Sequence, residues 1–470
     1  MRIAVAGASG YVGSRLVPRL AAAGHDVLAL ARSVDGIRPG ARVYPLTVDL
    51  ADEQSVGEVL VGVDVAVYLV HSMAAGSDFA SRDRELAATF ADAAAAAGVR
   101  RIVYLGGLGR GDLSEHLASR HEVGAVLASG PVPVVELRAA VILGSGSISF
   151  EMIRYLTERL PAMICPRWIH TRIQPIAEVD LLAHLERALE EDVVPGVYEV
   201  GGPEITTYRD MMAAYARVRG LRRRPILDVP MLTPRLSARW VDFVTPVDRH
   251  VSHTLIESLG TEVVVADAGR TRAAFEIEGL DVDAAIARAL ADQVAALPDR
   301  LFDPPSDIAE GIYAMREDAR VGRDDLVAVR TGLQACGGDL SWYGLAGAWR
   351  MRIALGRLFG ERLRLHRPRE VEAGARVDWW TAVRVEPSTL VLATDQWFCG
   401  EAWLGYRVEP PESDGGDARL TQVGAFRPLG LLGVVYWRLM WPIHLVVFEL
   451  MAKRQTRVKK AAAEGGSARG

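Results

Sequence analysis

The chain has little cysteine. Among 470 residues only Cys165, Cys336 and Cys399 carry a thiol, they stand far apart, and no CxxC pair occurs. That argues against a disulfide framework or a cysteine zinc site, and it fits a reducing, cytoplasmic setting. Histidine is sparse too. Ten are scattered with neither HxxxH nor HExxH spacing, so no metal site emerges. A charge excess of one sign is also missing: 54 Lys and Arg against 59 Asp and Glu leave a net charge of −5, which gives no field for nucleic acid. Met1-Arg2 leads straight into an apolar strand, with no signal-peptide-length apolar stretch and no cleavage site. Long hydrophobic runs are absent except for Leu429 to Met451.

What is present is the composition of a globular protein, 50% hydrophobic and 24% charged, in a chain long enough for two domains. Up to about residue 200, short β-branched runs alternate with Ala/Leu-rich helical stretches: Ile3–Ala6, Val27–Leu30, Val63–Val70, Ile102–Leu105 and Val134–Leu137. That alternation predicts an α/β fold with a doubly wound parallel sheet. Residues 203–300 extend it, with a helix start at Thr206–Asp210 and a closing helix over Asp281–Leu297. The Pro304-Pro305 stretch marks a boundary, giving domains 1–300 and 311–455 and a disordered tail over 461–470. Residues 311–450 hold eight of the ten tryptophans in short alternating runs such as Val377–Val383, Leu390–Thr394, Ala402–Val408 and Arg419–Val423. These predict a smaller α+β domain with an antiparallel sheet, preceded by a helix at Leu345–Phe359 and followed by one at Leu432–Met451.

Gly7-Ala8-Ser9-Gly10-Tyr11-Val12-Gly13 lies between the first strand and the first helix. In that place Gly7 permits the tight exit, Gly10 lets the backbone approach a pyrophosphate, and Gly13 lets helix and sheet pack closely. The helix N-terminus offers N–H groups and a positive dipole end to the anion. After the second strand, where a carboxylate would select NAD, stands Leu30-Ala31-Arg32-Ser33. A guanidinium and a hydroxyl suit a 2′-phosphate, so NADP is expected, with NAD the alternative. A solvated Arg32 with no ligand is the plain alternative.

These motifs resemble the atypical short-chain dehydrogenase/reductases, including NmrA-like NAD(P)-binding proteins. Val99–Leu105, Leu137-Arg138, Gln174-Pro175-Ile176 and Asp180 join the loop in carrying the resemblance. It implies that Asp49-Leu50 line the adenine pocket, and that Leu69, Val70, His71 and Gly106 lie near the nicotinamide ribose. The second half is similar to helix-grip, polyketide-cyclase-like domains, which often enclose an apolar ligand cavity. The family's Tyr-x-x-x-Lys slot reads His116-Leu117-Ala118-Ser119-Arg120 here, and Gly106-Gly107 stand where serines are common. His116 as proton donor and Arg120 as ribose or phosphate grip are the candidate catalytic pair, with a surface histidine as the plain alternative. His71 and Ser72 form a second polar pair. Two functions stay open: an NADP(H)-dependent oxidoreductase acting on a hydrophobic small molecule, or a non-catalytic NADP(H)-binding sensor or assembly factor.

Leu429–Met451 is long enough to span a bilayer, but Arg438, His444, Glu449 and Pro442 interrupt it. A buried helix broken at Pro442 is expected. Peripheral membrane contact through 429–460, helped by the basic run Lys453–Lys460, is the alternative.

Overall fold

A computed structural model describes residues 1–71, 79–111, 113–160, 162–165, 167–221, 225–228, 259–302, 312–322, 326–334, 371–396, 399–411 and 417–455, with Ala354, Arg357 and Pro368 singly. The chain divides into two compact units, Met1–Thr157 with Pro161–Ala291, and Glu158–Leu160 with Asp292–Gly470.

The first unit opens with β1 (Arg2–Ala6), α1 (Gly13–Ala22), β2 (Asp26–Ala31), β3 (Val43–Thr47), α2 (Glu53–Leu60) and β4 (Val65–Tyr68). Next come α3 (Phe79–Ala96), β5 (Arg101–Gly107), α4 (Glu115–Ser129), β6 (Val134–Ala139), β7 (Ile142–Leu143) and α5 (Ile148–Arg159). The short strands β8 (Met163–Cys165), β9 (Arg172–Ile173) and β10 (Ile176–Ala177) precede α6 (Glu178–Arg187) and β11 (Gly196–Val200). Then β12 (Thr206–Thr207), α7 (Tyr208–Val218), β13 (Ile226–Asp228) and α8 (Ala268–Phe275) lead to α9 (Val282–Arg300), which carries the chain on into the second unit.

Seven strands form one parallel sheet in the order β3-β2-β1-β4-β5-β6-β11. Its strands read as nearly unbroken apolar runs because helices cover both faces. Ile3, Val5, Val27 and Val103 pack with Leu16 and Leu20 of α1 and Leu181 and Leu185 of α6. Ala4, Leu28, Ile102 and Tyr104 pack on the other side with Val56, Leu86, Phe90 and Leu127 of α2, α3 and α4. From β1 the chain moves outward on one side to β2 and β3, then returns to build β4 on the other. The helices that follow β1 and β4 therefore lie on opposite faces of the sheet, leaving a crevice at the carboxyl ends of these strands.

The second unit contains β14 (Tyr313–Val321), α10 (Leu326–Gln334), β15 (Arg376–Val377), β16 (Trp380–Glu386), β17 (Thr389–Gln396), β18 (Gly400–Glu409), β19 (Ala418–Pro428) and α11 (Gly430–Gln455). Its sheet is antiparallel in the order β14-β19-β18-β17-β16-β15. Alternation divides it cleanly: Leu390, Leu392, Leu404 and Tyr406 face a core that includes Met451 of α11. Val391, Trp403, Val423 and Ala425 face Leu297, Leu301 and Phe302. Those three residues are buried although they stand next to the boundary expected at Pro304-Pro305. The expected helix Leu345–Phe359, apart from Ala354 and Arg357, lies outside the described residues, as do Pro304-Pro305 and the tail 461–470.

α11 corrects two expectations. It runs through Pro442 without a break. Pro442 is exposed, as is Arg438 four residues earlier, so the carbonyl left without its helical donor lies on the outward side, where water can reach it. Nor is the helix buried. Val434, Trp437 and Met451 pack inward, while Leu432 is 73% exposed and Leu439 72% exposed. The reason is geometric: among the described elements α11 packs chiefly against β19 and β14, which cover one stripe of it.

Candidate active site

The phosphate loop is shaped by what its glycines leave out. Gly7 has φ +83°, and a Cβ there would stand 3.1 Å from the Leu69 carbonyl carbon, so the β1 and β4 loops touch backbone to backbone. A Cβ on Gly13 would collide with the Gly7 carbonyl oxygen and sit 2.8 Å from Ala8 Cα. Gly10 differs: it is exposed, and its Cβ would meet only the Gly7 carbonyl oxygen at 3.2 Å. Gly7 N and Ala8 N both donate to the Leu30 carbonyl at 3.1 Å, and Gly10 N donates to the Gly7 carbonyl at 3.0 Å. α1 then begins with no side-chain cap at Val12, and Ser14 N donates to the Gly10 carbonyl at 2.9 Å, tying the loop to the first turn. That is an anion cradle, and a dinucleotide pyrophosphate fits it.

Tyr11 has a second task. Its hydroxyl donates to Glu178 in a short hydrogen bond, and the Arg15 guanidinium lies 4.0 Å over its ring. Arg15 Nε pairs with Glu178 at 3.0 Å and its terminal nitrogen donates to the Ser145 carbonyl at 2.6 Å. Gly144 is bare for the same reason, since a Cβ there would collide with Glu178 and the Tyr11 hydroxyl. Burial, and then the Glu178 charge, push the Tyr11 phenol far above its ordinary value, so it stays protonated. Arg15, Gly144 and Glu178 were not singled out from sequence; 167 positions separate Tyr11 from Glu178, and no local pattern reports such a pair.

The polar part of the cavity lies between β5 and α4. Ser114 caps α4, its Oγ accepting from Leu117 N at 3.4 Å. Bare glycines at the end of β5 let the helix come close: a Cβ on Gly107 would stand 2.8 Å from Leu117 Cδ2 and 3.3 Å from Arg120 Cδ. His116 and Arg120, one turn apart, share a face of α4 and both line the cavity. His116 is 9% exposed, so the surface reading of it fails. Burial, helped by the Arg120 guanidinium, pushes its imidazole down to about 4, which makes it neutral at neutral pH. The Arg120 guanidinium donates to the Leu105 carbonyl at 2.5 Å, and its Nε is buried with no hydrogen-bond partner. Tyr104 holds this turn, its hydroxyl donating to the Arg120 carbonyl at 2.9 Å, and burial pushes that phenol up to about 12. The His71 and His116 rings meet edge to face, 6.2 Å apart. Solvent reaches His71 in the cleft, yet the protein mass around it, and then Arg120, hold its pKa below the ordinary histidine value.

Loop and histidines open onto one cavity of about 290 Å³. Gly7, Gly10, Tyr11, Val12, Gly13, Leu69, His71 and Gly106 line it with His116 and Arg120. Its far wall is apolar, built from Met152, Ile153 and Leu156 of α5, Tyr208 and Met212 of α7, and Leu259 and Val263. No Asp or Glu lines it among the described residues.

Several predicted site residues stand elsewhere. Ala8 is buried in the core beneath the loop, and Ser9 is exposed on it. Val70 packs against the α3 side of the sheet. Arg32 is exposed just after β2, and the Ser33 hydroxyl donates to Asp35 at 2.8 Å. Asp49 is exposed, its carboxylate accepting from Ala51 N at 3.1 Å, while Leu50 is buried. Gln174 and Asp180 bond backbone groups, Gly202 and Val265 for the first and Leu280 for the second. Ser72 lies outside the described residues.

Comparison with known proteins agrees with this geometry. Residues 7–131 match the family described as "NAD(P)H-binding", and residues 313–451 match "Protein of unknown function (DUF2867)". An uncharacterised protein of Mycobacterium tuberculosis is 27% identical over 256 residues, 50% of this chain and 28% of that protein. The chain thus spans under a third of that relative's length. Subunit 9 of the NADH dehydrogenase [ubiquinone] 1 alpha subcomplex of Arabidopsis thaliana mitochondria is 26% identical over 284 residues, 56% of this chain and 70% of that protein. Among solved structures, the Bordetella bronchiseptica enzyme WbmG, in complex with NAD and UDP, aligns with TM-score 0.50 and 20% identity over 62% of this chain and 93% of its own. The NADPH-dependent quinone oxidoreductase QOR2 of Escherichia coli, with NADPH, aligns with TM-score 0.51 and 19% identity over 61% and 99%. At these identities the likeness is one of fold. The chain therefore carries an NAD(P)-binding Rossmann domain, followed by a separate antiparallel-sheet domain of a family whose function is unknown.

Proposed function

We propose that the protein is an NADP(H)-dependent oxidoreductase that reduces a carbonyl group on an apolar small molecule. One observation carries this reading: a single cavity is lined by the phosphate loop, a buried histidine, a half-buried arginine and apolar side chains of α5 and α7. The Gly7–Gly13 loop would hold the pyrophosphate, Arg32 and Ser33 the 2′-phosphate, and Asp49-Leu50 the adenine side. Leu69, His71 and Gly106 would flank the nicotinamide ribose, with Arg120 as its grip. When bound, the dinucleotide supplies the reducing equivalents.

In this reading His116 donates a hydrogen bond from a neutral imidazole to the substrate's carbonyl oxygen, and the alkoxide formed takes its proton from water entering at the exposed His71 side of the cleft. A neutral ring polarises a carbonyl without bringing a second positive charge beside Arg120. Arg120 supplies the fixed positive charge as negative charge develops on that oxygen. Met152, Leu156 and Met212 exclude water and select an apolar body. The test is NADPH oxidation by the full chain against quinones, enones and aldehydes. Turnover that falls when the substrate's apolar part is shortened supports the reading. NADPH binding without turnover on any of them replaces it with the sensor reading.

A further inference from the structure

We infer that the second domain docks on the surface of an anionic phospholipid bilayer, with α11 lying in the plane of the interface. Nine of the seventeen exposed large hydrophobic residues among the described residues belong to this one helix. Leu431, Leu432, Leu439, Ile443, Val446 and Leu450 are among them, and the helix is long and apolar enough to meet the length and composition of a membrane span. A surface helix of a soluble domain normally turns charge outward. Here the exposed charges among the described side chains are Arg438, then Glu449 and Lys453, which pair with each other one turn apart near the C-terminal end. An apolar face of this size marks an interaction surface.

What covers it is indicated by the sequence at its end. Lys453, Arg454, Arg457, Lys459 and Lys460 place five cations within eight residues, directly after the apolar face. Lipid phosphates provide the matching negative charge just outside the hydrocarbon, and a basic run beside an apolar helix is how a protein engages both layers. The inward face decides between lying on the bilayer and crossing it. Trp437 stacks on Phe426 at 5.2 Å and on Tyr313 at 5.9 Å, Met451 is fully buried, and Gln422 Nε2 donates to the Phe448 carbonyl at 3.3 Å. A spanning helix would have to abandon all of these contacts. An in-plane helix keeps them and buries only the side that the sheet leaves open.

The experiment is flotation of the full chain with vesicles of phosphatidylcholine alone and of phosphatidylcholine mixed with phosphatidylglycerol. The protein should float with the mixed vesicles and at least ~10-fold less with phosphatidylcholine, and raised salt should weaken the anionic preference. Leu439→Glu with Val446→Glu should abolish flotation while leaving the thermal melt unchanged, since both side chains point outward. Lys459→Glu with Lys460→Glu should remove only the preference for anionic vesicles. Failure to float with either vesicle overturns the inference, and so does flotation that survives the double glutamate variant. A dimer by light scattering that the same variant splits, with no flotation, would assign the face to a second copy instead.

Discussion

The cradle makes a prediction in which folding and binding separate. At Gly13 a new methyl group would meet backbone on two sides, the Gly7 carbonyl oxygen and Ala8 Cα, and neither can swing aside as a side chain can. Overpacking of this kind costs about 1–3 kcal/mol. Gly10→Ala adds the same methyl group, yet its one close neighbour is the Gly7 carbonyl oxygen at 3.2 Å, and the rest of its surroundings is open. Folding should change there by under ~0.5 kcal/mol, the usual range for a surface substitution. The open side of Gly10 is where a pyrophosphate would approach, so a methyl group should weaken NADPH binding by at least ~10-fold, or about 1.4 kcal/mol. Melting followed by circular dichroism, with NADPH titrated by tryptophan fluorescence, reads the two quantities apart. Gly13→Ala should lower the first unit's melting temperature by roughly 3–10 °C. Gly10→Ala should melt like the parent and bind poorly. A Gly10→Ala protein that binds NADPH as the parent does would refute the placement of the phosphates, and an unshifted Gly13→Ala melt would refute the packing.

Arg32→Asp should reverse a preference for NADPH over NADH, because a charged hydrogen bond to the 2′-phosphate contributes about 1.5–3 kcal/mol. Equal affinities in the parent would remove the 2′-phosphate assignment, and tighter NADH binding would turn attention to Asp35, which Ser33 already contacts. His116→Ala should lower reductase turnover at least ~100-fold with NADPH affinity nearly unchanged, and parent turnover should stay level from pH 8 down to roughly 5 before declining. The same ring links stability to acid: its folded pKa of about 4 lies below the unfolded value near 6.5, so its contribution is present above 6.5 and lost as pH falls toward 4. His116→Gln should flatten the acid limb of a urea-midpoint profile by about 3 kcal/mol over that window, and an unchanged limb would mean the ring is not buried neutral. Finally, residues 1–291 should fold and bind NADPH, whereas a chain ending at Leu301 should aggregate more readily, because Leu297 and Leu301 belong to the second unit's core. Equal solubility of the two fragments would sink that contrast.

The order of β1, β2, β4, β5 and β6 was legible because each holds a run of apolar residues, whereas the edge strands β3 and β11 are less buried and more mixed and were not among the runs read as strands. Gly7, Gly10 and Gly13 announce themselves by spacing alone. The sequence hid β14, Tyr313–Val321, because Arg316, Glu317, Asp318 and Arg320 crowd its short pattern, and its pairing partner β19 lies about a hundred residues on. It hid the burial of His116 as well. The neighbours Glu115, Ser119, Arg120, His121 and Glu122 read as a polar helix, and only the approach allowed by Gly107 brings that turn under cover. The Pro442 expectation failed because a rule about lost donors takes no account of which side of the helix the freed carbonyl occupies.

The cavity is assembled from segments that arrive at different points along the chain. The anion cradle is complete by Gly13, the polar centre comes from residues 71 and 106–120, and apolar lining comes later, from residues 139–142, 148–156, 208–212 and 259–263. Substitutions in the wall thus touch neither the cradle nor the α4 pair. A lineage could exchange Met152, Leu156 or Met212 and acquire a new substrate while keeping the same nucleotide chemistry, and a protein engineer could follow the same route by randomising those three positions alone.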